Sequence, residues 1–285
     1  MSLINYQIFV PGGNKTALVF GGLEYDAAKR KEIQDKILSR HENDSGGEVE
    51  QVGFVSPDKK APRLIMAGGE FCGNATRAAA AYYLEVKAGE IEINVSGAIR
   101  PLRAGICAHG EVWAQMPVQP DINAAVRPLP SGEYWVMIDG ISHLVVPQRI
   151  SEPILNRVHS CADNAEKLSI ALDFLEKTIA KNALPIGDAY GLMLLENTID
   201  ILAMHPFVHV KTSGTTYYET GCGSGAICVG LVSSLLRGGN IKLPLLQPSG
   251  KIITAEAGKD AAGNAWGKIS GGVEVGGVFE MDGEL

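Results

Sequence analysis

The sequence predicts an α/β (α+β) protein built from two similar domains, and three observations support that prediction. The 285 residues are enough for two domains of about 140 residues, each able to bury its own core. Apolar residues make up 46% of the chain and charged residues only 20%, which excludes a disordered chain. Both halves also repeat one order of elements: strands, a glycine-rich turn with one cysteine, and a helix of small apolar residues.

The repeat is marked by Cys72 and Cys222, which stand 150 positions apart in the numbering. Duplication of one ancestral unit explains two such similar segments more simply than coincidence does. We therefore expect two α/β domains that face each other, with the two cysteine-bearing helix starts meeting at the cleft between them.

The first half reads as short strands around one polar helix and one helix of small residues. In order, the predicted elements are strand 6–10, turn 11–14, strand 17–20, helix 25–40, loop 43–47, strands 52–55 and 64–66, and a helix containing the run 78–84. Alanines cover nearly every side of that last helix, so we expect it to be enclosed tightly by a sheet. Residues 91–115 are again strand-like.

The second half follows a proline-rich stretch at 117–130, which is typical of a linker between domains. Its predicted elements are strands 134–138 and 143–146, a helix at 160–181, strands 191–196 and 199–204, and a small-residue helix that ends near Arg237. The glycine-rich turn before that last helix carries Cys222.

Composition narrows the class of partner. The formal net charge of −7 disfavours nonspecific nucleic-acid binding and favours small-molecule chemistry. No apolar run is long enough for a membrane helix, and the first residues lack the pattern of a secretory signal, so we expect a soluble, cytoplasmic protein without a membrane partner. Five cysteines are too few for a disulfide framework, and their spacing suggests no zinc site.

The two turn cysteines suit acid/base chemistry. A cysteine just before a helix lies beside unpaired backbone N–H groups and the positive end of the helix dipole, which lower its pKa and also attract a carboxylate. Two such turns around one ligand would let a thiolate remove a proton from a carbon while a thiol returns a proton to the opposite face. Such an arrangement inverts a stereocentre.

Five segments of the sequence form a recognisable set. Two of them contain the turn cysteines, GEFCGNATR at residues 69–77 and ETGCGSGA at 219–226, and the other three are GGN at 12–14, GISHLVV at 140–146 and VFEMDG at 278–283. The set resembles diaminopimelate epimerases, the cofactor-independent amino-acid epimerases, and the two cysteine segments resemble the two active-site motifs of that family. The chain is also similar to histidine racemases, a branch of the same group of two-cysteine racemases that needs neither pyridoxal phosphate nor a metal.

The resemblance implies both a fold and a set of site residues. Each domain would be a curved, mostly antiparallel sheet around a central helix, with the last strand returning to the first domain. The domains would then comprise residues 1–125 with 268–285, and residues 126–267. The implied acid/base pair is Cys72 and Cys222; the implied substrate-binding groups are the side chains of Asn14 and Asn74 and the N–H groups of Gly73, Asn74, Gly223 and Ser224.

Two departures from the family pattern bear on the substrate. The family's Glu-Arg pair, whose arginine holds the distal carboxylate of diaminopimelate, is replaced by TSGT at 212–215, and its Asn-Pro by Ile141-Ser142. A substrate without a distal carboxylate is therefore expected. Where the family has a distal-end glutamine, this chain offers Glu48, Glu50 and Gln51, which suit a side chain that donates hydrogen bonds. We expect histidine as the substrate, with Glu48 binding its side chain.

Several alternatives remain open at this point. The chain could be a diaminopimelate epimerase proper, a hydrolase in which His143 activates the Cys72 nucleophile, or a non-catalytic amino-acid binding protein. Individual residues also have structural interpretations. Asn14 and Asn74 could stabilise turns, Glu48 and Glu50 could be solvated, His143 could be an ordinary strand residue, Arg77 could anchor its helix, and Cys107, Cys161 and Cys228 could be small apolar residues. The expected partner is an amino acid, and a homodimer is possible.

Overall fold

The computed structural model describes residues 3–42, 48–211 and 214–283. Seventeen strands and six helices occur within these described ranges, so the protein has a mixed α+β fold with extensive sheet and few helices. The chain divides into two compact units. One contains Met1–Gln115 and Ser270–Leu285, and the other contains Met116–Ile269.

Among the described residues of the first unit there are two helices, each placed between strands. Its elements are β1 (Leu3–Pro11), β2 (Lys15–Phe20), α1 (Ala27–Arg40), β3 (Val49–Val55), β4 (Arg63–Met66), α2 (Gly73–Tyr83), β5 (Gly89–Val95), β6 (Leu102–Ile106), β7 (Val112–Gln115) and, from the end of the chain, β17 (Val273–Asp282). Strand pairing is antiparallel for β1–β17, β1–β2, β3–β4, β5–β6 and β6–β7, and parallel for β2–β3 and β4–β5.

Helix α2 occupies the centre of the first unit. Ten of its eleven residues are buried, and it contacts β1, β2, β3, β4, β6, β7 and β17. The alanine-rich sequence permits this, because a side chain no larger than a methyl group lets strands approach the helix from several sides. Helix α1 instead lies on one face of the sheet, where Ile33 and Ile37 contribute to an apolar cluster with residues of β1, β2 and β3.

The second unit also combines antiparallel and parallel strand pairs. Its elements are α3 (Ile122–Ala125), β8 (Val126–Pro128), β9 (Tyr134–Ile138), β10 (Ile141–Val146), α4 (Gln148–Ser160), α5 (Asn164–Asn182), β11 (Ala189–Asn197), β12 (Leu202–Val210), β13 (Thr215–Tyr218), α6 (Gly223–Arg237), β14 (Ile241–Leu246), β15 (Ile252–Lys259) and β16 (Ala265–Gly271). The pairs β9–β10, β11–β12 and β14–β15 are antiparallel, whereas β10–β11 and β12–β14 are parallel.

Helix α6 is the central helix of this unit. Ten of its fifteen residues are buried, and it contacts β9, β10, β11, β14 and β15. Helices α4 and α5 cover one side, where an apolar cluster around Trp135, Leu155, Leu175 and Phe207 joins them to the strands. Each unit therefore encloses one helix of small residues within its strands.

The structure differs from the sequence prediction in the helices before β11. A single helix was predicted at 160–181, but α4 ends at Ser160 and α5 begins only after its N-cap, Asp163. The prediction missed α4 entirely, since Pro153 interrupts the segment and proline is a poor residue for a helix interior. The proline-rich stretch expected to be a linker contributes α3 and β8 to the second unit.

None of the helices within the described ranges is long and apolar enough to cross a membrane.

Candidate active site

Cys72 is the N-cap residue of α2. Its backbone is extended, and its Sγ accepts a hydrogen bond from the N–H of Ala75 at 3.3 Å. The Thr76 hydroxyl donates to the carbonyl of Cys72 at 2.7 Å, which fixes the same turn from the other side. Because Gly73 and Asn74 are the first two helical residues, their N–H groups belong to the positive end of the helix dipole.

Strand β3 brings a polar side chain to the Cys72 thiol. Gln51 of β3 lies with its Oε1 2.7 Å from Cys72 Sγ and accepts the thiol hydrogen. The neighbouring residue, Glu50, accepts a hydrogen bond from Asn14 Nδ2 at 2.7 Å. Adjacent residues of a regular strand point to opposite faces. Here the register of β3 against β2 shifts by one residue at Glu50, and such a bulge re-aims side chains.

Asn14 is completely buried in the turn between β1 and β2. Besides its bond to Glu50, its Oδ1 accepts a hydrogen bond from the Thr16 hydroxyl at 3.1 Å. The amide is therefore held in one orientation by two side chains. Glu48, which the sequence analysis placed in the substrate site, is exposed and lies just before β3.

The side chain of Asn74 accepts a hydrogen bond from a buried arginine. Arg77 donates to Asn74 Oδ1 at 3.5 Å, to the Val112 carbonyl at 3.1 Å and to the Gly272 carbonyl at 2.9 Å. Burial lowers the pKa of Arg77 to about 10, so the guanidinium remains charged at neutral pH. In the first unit, Asn14 and Cys72 thus contact two consecutive residues of β3, Glu50 and Gln51, and Asn74 follows Cys72 by two residues at the start of α2.

Cys222 begins the central helix of the second unit, as Cys72 begins that of the first. It is the N-cap of α6, and its Sγ accepts a hydrogen bond from the N–H of Gly225 at 3.3 Å. Its own N–H donates to Gln247 Oε1 at 3.0 Å. Gly223 and Ser224 are the first two helical residues, as Gly73 and Asn74 are in α2.

Gly225, the third residue of α6, leaves room for the side chain of Met193. A Cβ added there would lie 2.1 Å from Met193 Sδ and 3.2 Å from Cys222 Sγ, so a side chain at this position would require the flexible Met193 side chain to move. The glycine-rich spacing of this turn therefore has a packing reason.

The pKa of Cys222 departs from the sequence expectation. The helix start was expected to lower it, but burial and then the negative charge of Glu219 raise it well above its usual value. Hydrogen bonds from Ser224 and from the Gly225 N–H act in the opposite direction and are outweighed. Cys222 is consequently a thiol at neutral pH.

Behind Cys222 lies a buried histidine that the sequence analysis interpreted as an ordinary strand residue. His143 of β10 places Nε2 2.9 Å from Ser224 Oγ, and Ser224 Oγ is 3.4 Å from Cys222 Sγ. Burial lowers the pKa of His143 to about 3, so the imidazole is neutral at physiological pH. A neutral imidazole of such low basicity is a poor activator of a nucleophile.

The remaining cysteines are not part of these clusters. Cys107, Cys161 and Cys228 are free thiols, and burial raises the pKa of Cys228. Within the described ranges, no group of three or more histidine, cysteine or acidic side chains is arranged to hold a metal ion.

The sequence is similar to a known protein family and to individual members of it. Residues 3–277 match the family model described as the histidine racemase CntK N-terminal domain. A histidine racemase of Staphylococcus aureus (strain Mu50) is 25% identical over 267 residues, which cover 88% of this chain and 88% of that protein. A histidine racemase of Fusobacterium nucleatum subsp. nucleatum (strain ATCC 25586) is 27% identical over 231 residues, covering 77% of each.

Solved structures share the fold at lower sequence identity. A Bacillus anthracis phenazine biosynthesis protein of the PhzF family superposes with a TM-score of 0.63 at 15% identity, covering 99% of this chain and all of that one. A predicted epimerase from Pseudomonas aeruginosa gives 0.56 at 16% identity, covering 98% of this chain and 99% of that one. These likenesses confirm the predicted mixed α+β class.

Proposed function

Because the chain belongs to the family of the histidine racemase CntK N-terminal domain, we propose that it is an amino-acid racemase that interconverts L- and D-histidine by proton transfer at the α-carbon. The observation that carries the proposal is the matching placement of two thiols. Cys72 and Cys222 are each the N-cap of a buried central helix, and each sulfur accepts a backbone N–H three residues ahead at 3.3 Å. The relatives from Staphylococcus and Fusobacterium, both histidine racemases, support the substrate.

The two units are copies of one ancestral domain. Both contain the same succession of pairings, antiparallel, parallel, antiparallel, parallel and antiparallel, from β1 to β6 and from β9 to β15. The central helix enters each copy before the last pair of that series. Duplication therefore supplies two thiols of similar local geometry, and inversion needs one on each face of the α-carbon.

The two thiols begin catalysis in opposite protonation states. Cys222, with its raised pKa, enters as the thiol. The two-base reaction then requires Cys72 to lose the hydrogen that its Sγ donates to Gln51 before it can act as the base. Cys72 takes the α-proton, the carbon carries the developing negative charge, and the Cys222 S–H delivers a proton to the opposite face, leaving Cys222 as thiolate. The reverse reaction exchanges these roles.

Stabilising the developing carbanion is the harder requirement, since the α-proton of an amino acid is very weakly acidic. The N–H groups at the starts of α2 and α6, from Gly73 and Asn74 and from Gly223 and Ser224, bind the α-carboxylate and stabilise the negative charge delocalised onto it. Asn14 and Asn74, whose amides are fixed by neighbouring side chains, bind the amino-acid end of the substrate. Neither pyridoxal phosphate nor a metal ion is needed for these steps.

The acidic start of β3 recognises the substrate side chain. Glu48 is exposed, while Glu50 binds Asn14, so a hydrogen-bond-donating imidazole would meet carboxylates at this edge of the first unit. The family's carboxylate-binding arginine has no counterpart in the sequence at 212–215, of which residues 212 and 213 lie outside the described residues. Histidine is therefore a better substrate than diaminopimelate.

Solvent exchange tests the proposal directly. The protein is incubated with L-histidine in D2O, and mass spectrometry with chiral chromatography follows α-deuterium and D-histidine. We expect both to appear, and to disappear in Cys72→Ser and in Cys222→Ser, while Cys107→Ser retains the full rate. Full racemisation by either of the first two variants contradicts the two-base mechanism.

Two other outcomes identify rival functions. Binding of histidine without exchange would identify an amino-acid binding protein, whereas a covalent acyl adduct on Cys72 would identify a hydrolase. The low basicity of His143 disfavours the hydrolase, because that histidine was the candidate activator of the Cys72 nucleophile. A parallel assay with diaminopimelate tests the remaining alternative.

A further inference from the structure

One buried titratable group beside Ser224, His143, takes no part in the proposed proton transfers. His143 has no exposed surface, and its Nε2 forms one hydrogen bond, to the Ser224 hydroxyl at 2.9 Å. Its other ring nitrogen, Nδ1, is buried without a hydrogen-bond partner among the described residues. A buried polar side chain left half-satisfied is costly, so its retention requires an explanation.

The surroundings of Nδ1 indicate which nitrogen carries the ring hydrogen. A Cβ added at Gly191 would lie 2.6 Å from Nδ1 and 2.7 Å from the Phe207 carbonyl oxygen, so the Gly191 Cα lies against this nitrogen. Nδ1 forms no hydrogen bond with any described residue, the Phe207 carbonyl included. A hydrogen on Nδ1 would be a buried donor pointing at a C–H group, which is rarer in proteins than an unpaired acceptor. The lone pair therefore belongs on Nδ1, and the hydrogen belongs on Nε2.

A hydrogen on Nε2 determines how the Ser224 hydroxyl is oriented. With Nε2–H as donor, Ser224 Oγ is the acceptor, and the Ser224 hydroxyl hydrogen is then free to point elsewhere. Cys222 Sγ, 3.4 Å from Ser224 Oγ, is the partner available to it. The opposite tautomer would turn the serine hydroxyl towards the histidine and expose a serine lone pair to the sulfur.

We propose that His143 is a positioning residue for the racemase reaction: its Nε2–H group orients the Ser224 hydroxyl so that this hydroxyl donates a hydrogen bond to Cys222 Sγ. This inference rests on the proposed function, since it assigns Cys222 a proton-transfer role. Among the described residues, the hydrogen bond of the His143 ring is the one with Ser224, and in this proposal His143 itself transfers no proton.

The orientation has two chemical consequences. When Cys222 is a thiol, its S–H hydrogen is not drawn to Ser224, and the side chain that stabilises the thiol by a hydrogen bond is Glu219. When Cys222 is a thiolate, the Ser224 hydroxyl and the Gly225 N–H both donate to the sulfur. Hydrogen bonds to a charged acceptor are stronger than those to a neutral one, so the contact favours the state formed after protonation of the α-carbon.

Nuclear magnetic resonance tests the tautomer without any reference to activity. Protein with 15N-labelled histidine is measured at pH 7, and the His143 ring is assigned by its loss in His143→Gln. We expect a neutral ring with hydrogen on Nε2, and a shift of the Nε2 signal in Ser224→Ala. Hydrogen on Nδ1, or an imidazolium ring, would overturn the inference.

Kinetics test whether the orientation matters for catalysis. Ser224→Ala keeps the backbone N–H that binds carboxylate but removes the hydroxyl, and we expect about a tenfold loss of kcat with little change in KM. Ser224→Thr retains a hydroxyl and should keep most of the activity. His143→Phe should lose about as much as Ser224→Ala, and His143→Gln, which offers an amide N–H, should recover part of the loss.

The double variant separates positioning from a general structural role. If His143 acts only through the serine hydroxyl, His143→Phe combined with Ser224→Ala loses no more activity than either single change. A loss of about a hundredfold, the product of independent effects, would contradict the relay. His209→Gln serves as the control, because His209 is a half-buried histidine of β12 that contacts Thr216. This variant should leave kcat unchanged.

Failure of this inference is distinguishable from failure of the proposed function. If the protein does not racemise histidine, the resonance experiment still reports the His143 tautomer and its coupling to Ser224. If racemisation proceeds but Ser224→Ala has normal kcat and KM, the racemase assignment stands and the positioning role is wrong.

Discussion

Buried Arg77 donates a hydrogen bond from Nη2 to the Gly272 carbonyl at 2.9 Å, joining α2 to the returning end of the chain. The same carbonyl accepts the N–H of Gly12 at 3.2 Å, from the turn that carries Asn14. Arg77 also reaches the Asn74 side chain. One guanidinium therefore links the two asparagines proposed to bind substrate, through contacts that span 195 residues of sequence.

Replacing Arg77 tests this linkage. In Arg77→Met the Val112 carbonyl loses its guanidinium donor and Asn74 loses a contact that orients its amide, so we expect a loss of about 3 kcal/mol in the free energy of unfolding. Substrate binding should also weaken, with a larger rise in KM for histidine than fall in kcat. Urea denaturation and steady-state kinetics measure the two effects.

Matched variants give this experiment its control. Arg103 is exposed and pairs with Glu90 on the surface, so Arg103→Met should change stability and KM very little. Arg77→Lys keeps the charge but lacks the guanidinium fork, and should fall between the wild type and Arg77→Met. Unchanged KM in Arg77→Met would show that Asn74 is oriented by other groups.

Local sequence was sufficient to predict the two helix starts, but not the groups around them. Glycine on the C-terminal side of each cysteine and a following run of small residues are short-range signals, and both cysteines are the N-caps of buried helices. The contact of Gln51 with Cys72 crosses 21 residues, and that of His143 with Ser224 crosses 81. Such contacts are set by the arrangement of strands, which residue patterns do not reveal.

The β3 bulge shows why alternation alone misleads at a site. A regular strand would direct Glu50 and Gln51 to opposite faces, whereas the register shift lets one bind Asn14 and the other Cys72. No turn residue or periodicity in the sequence indicates that shift. The pKa of Cys222 could not be predicted either, because burial and the nearby Glu219 outweigh the helix start.

The charge of Glu219 should set the alkaline limit of the reaction. It raises the pKa of Cys222, so Glu219→Gln removes one of the two largest causes of that rise and lowers the pH at which Cys222 loses its proton. In the direction that uses Cys222 as the acid, the alkaline limb of kcat/KM should move to lower pH by about one pH unit. A pH profile of L- and D-histidine racemisation measures it.

Glu152 on α4 provides the comparison for that profile. Its side chain is exposed on the second unit. Glu152→Gln therefore changes the net charge of the protein by the same amount as Glu219→Gln, but it removes no charge next to Cys222. The two variants should therefore differ in the position of the alkaline limb. Coinciding limbs would mean that a group other than Cys222 controls the alkaline loss of activity.

The neutral buried state of His143 should make the protein sensitive to acid. Its pKa falls from about 6.5 in the unfolded chain to about 3 in the fold, so between these values the unfolded state binds more protons than the folded state. The free energy of unfolding should be unaffected by His143 above pH 6.5 and should fall below it, by at most about 1.4 kcal/mol per pH unit. His143→Gln removes the titration, so urea denaturation from pH 7 to 4 should give a shallower slope for that variant. Parallel slopes would contradict the assignment.

Recognition of the histidine side chain should depend on the carboxylates at the start of β3. Glu48→Gln removes a charge without altering the Asn14 contact, and we expect the KM for histidine to rise by about tenfold, the effect of one charge-assisted hydrogen bond. Glu50→Gln should reduce kcat as well, because Glu50 also holds the buried Asn14 amide. Glu92→Gln, on exposed β5 surface, is the control. Kinetics with histidine and with alanine as competing substrates distinguish a specificity effect from general damage: equal losses for both amino acids would mean that Glu48 does not bind imidazole.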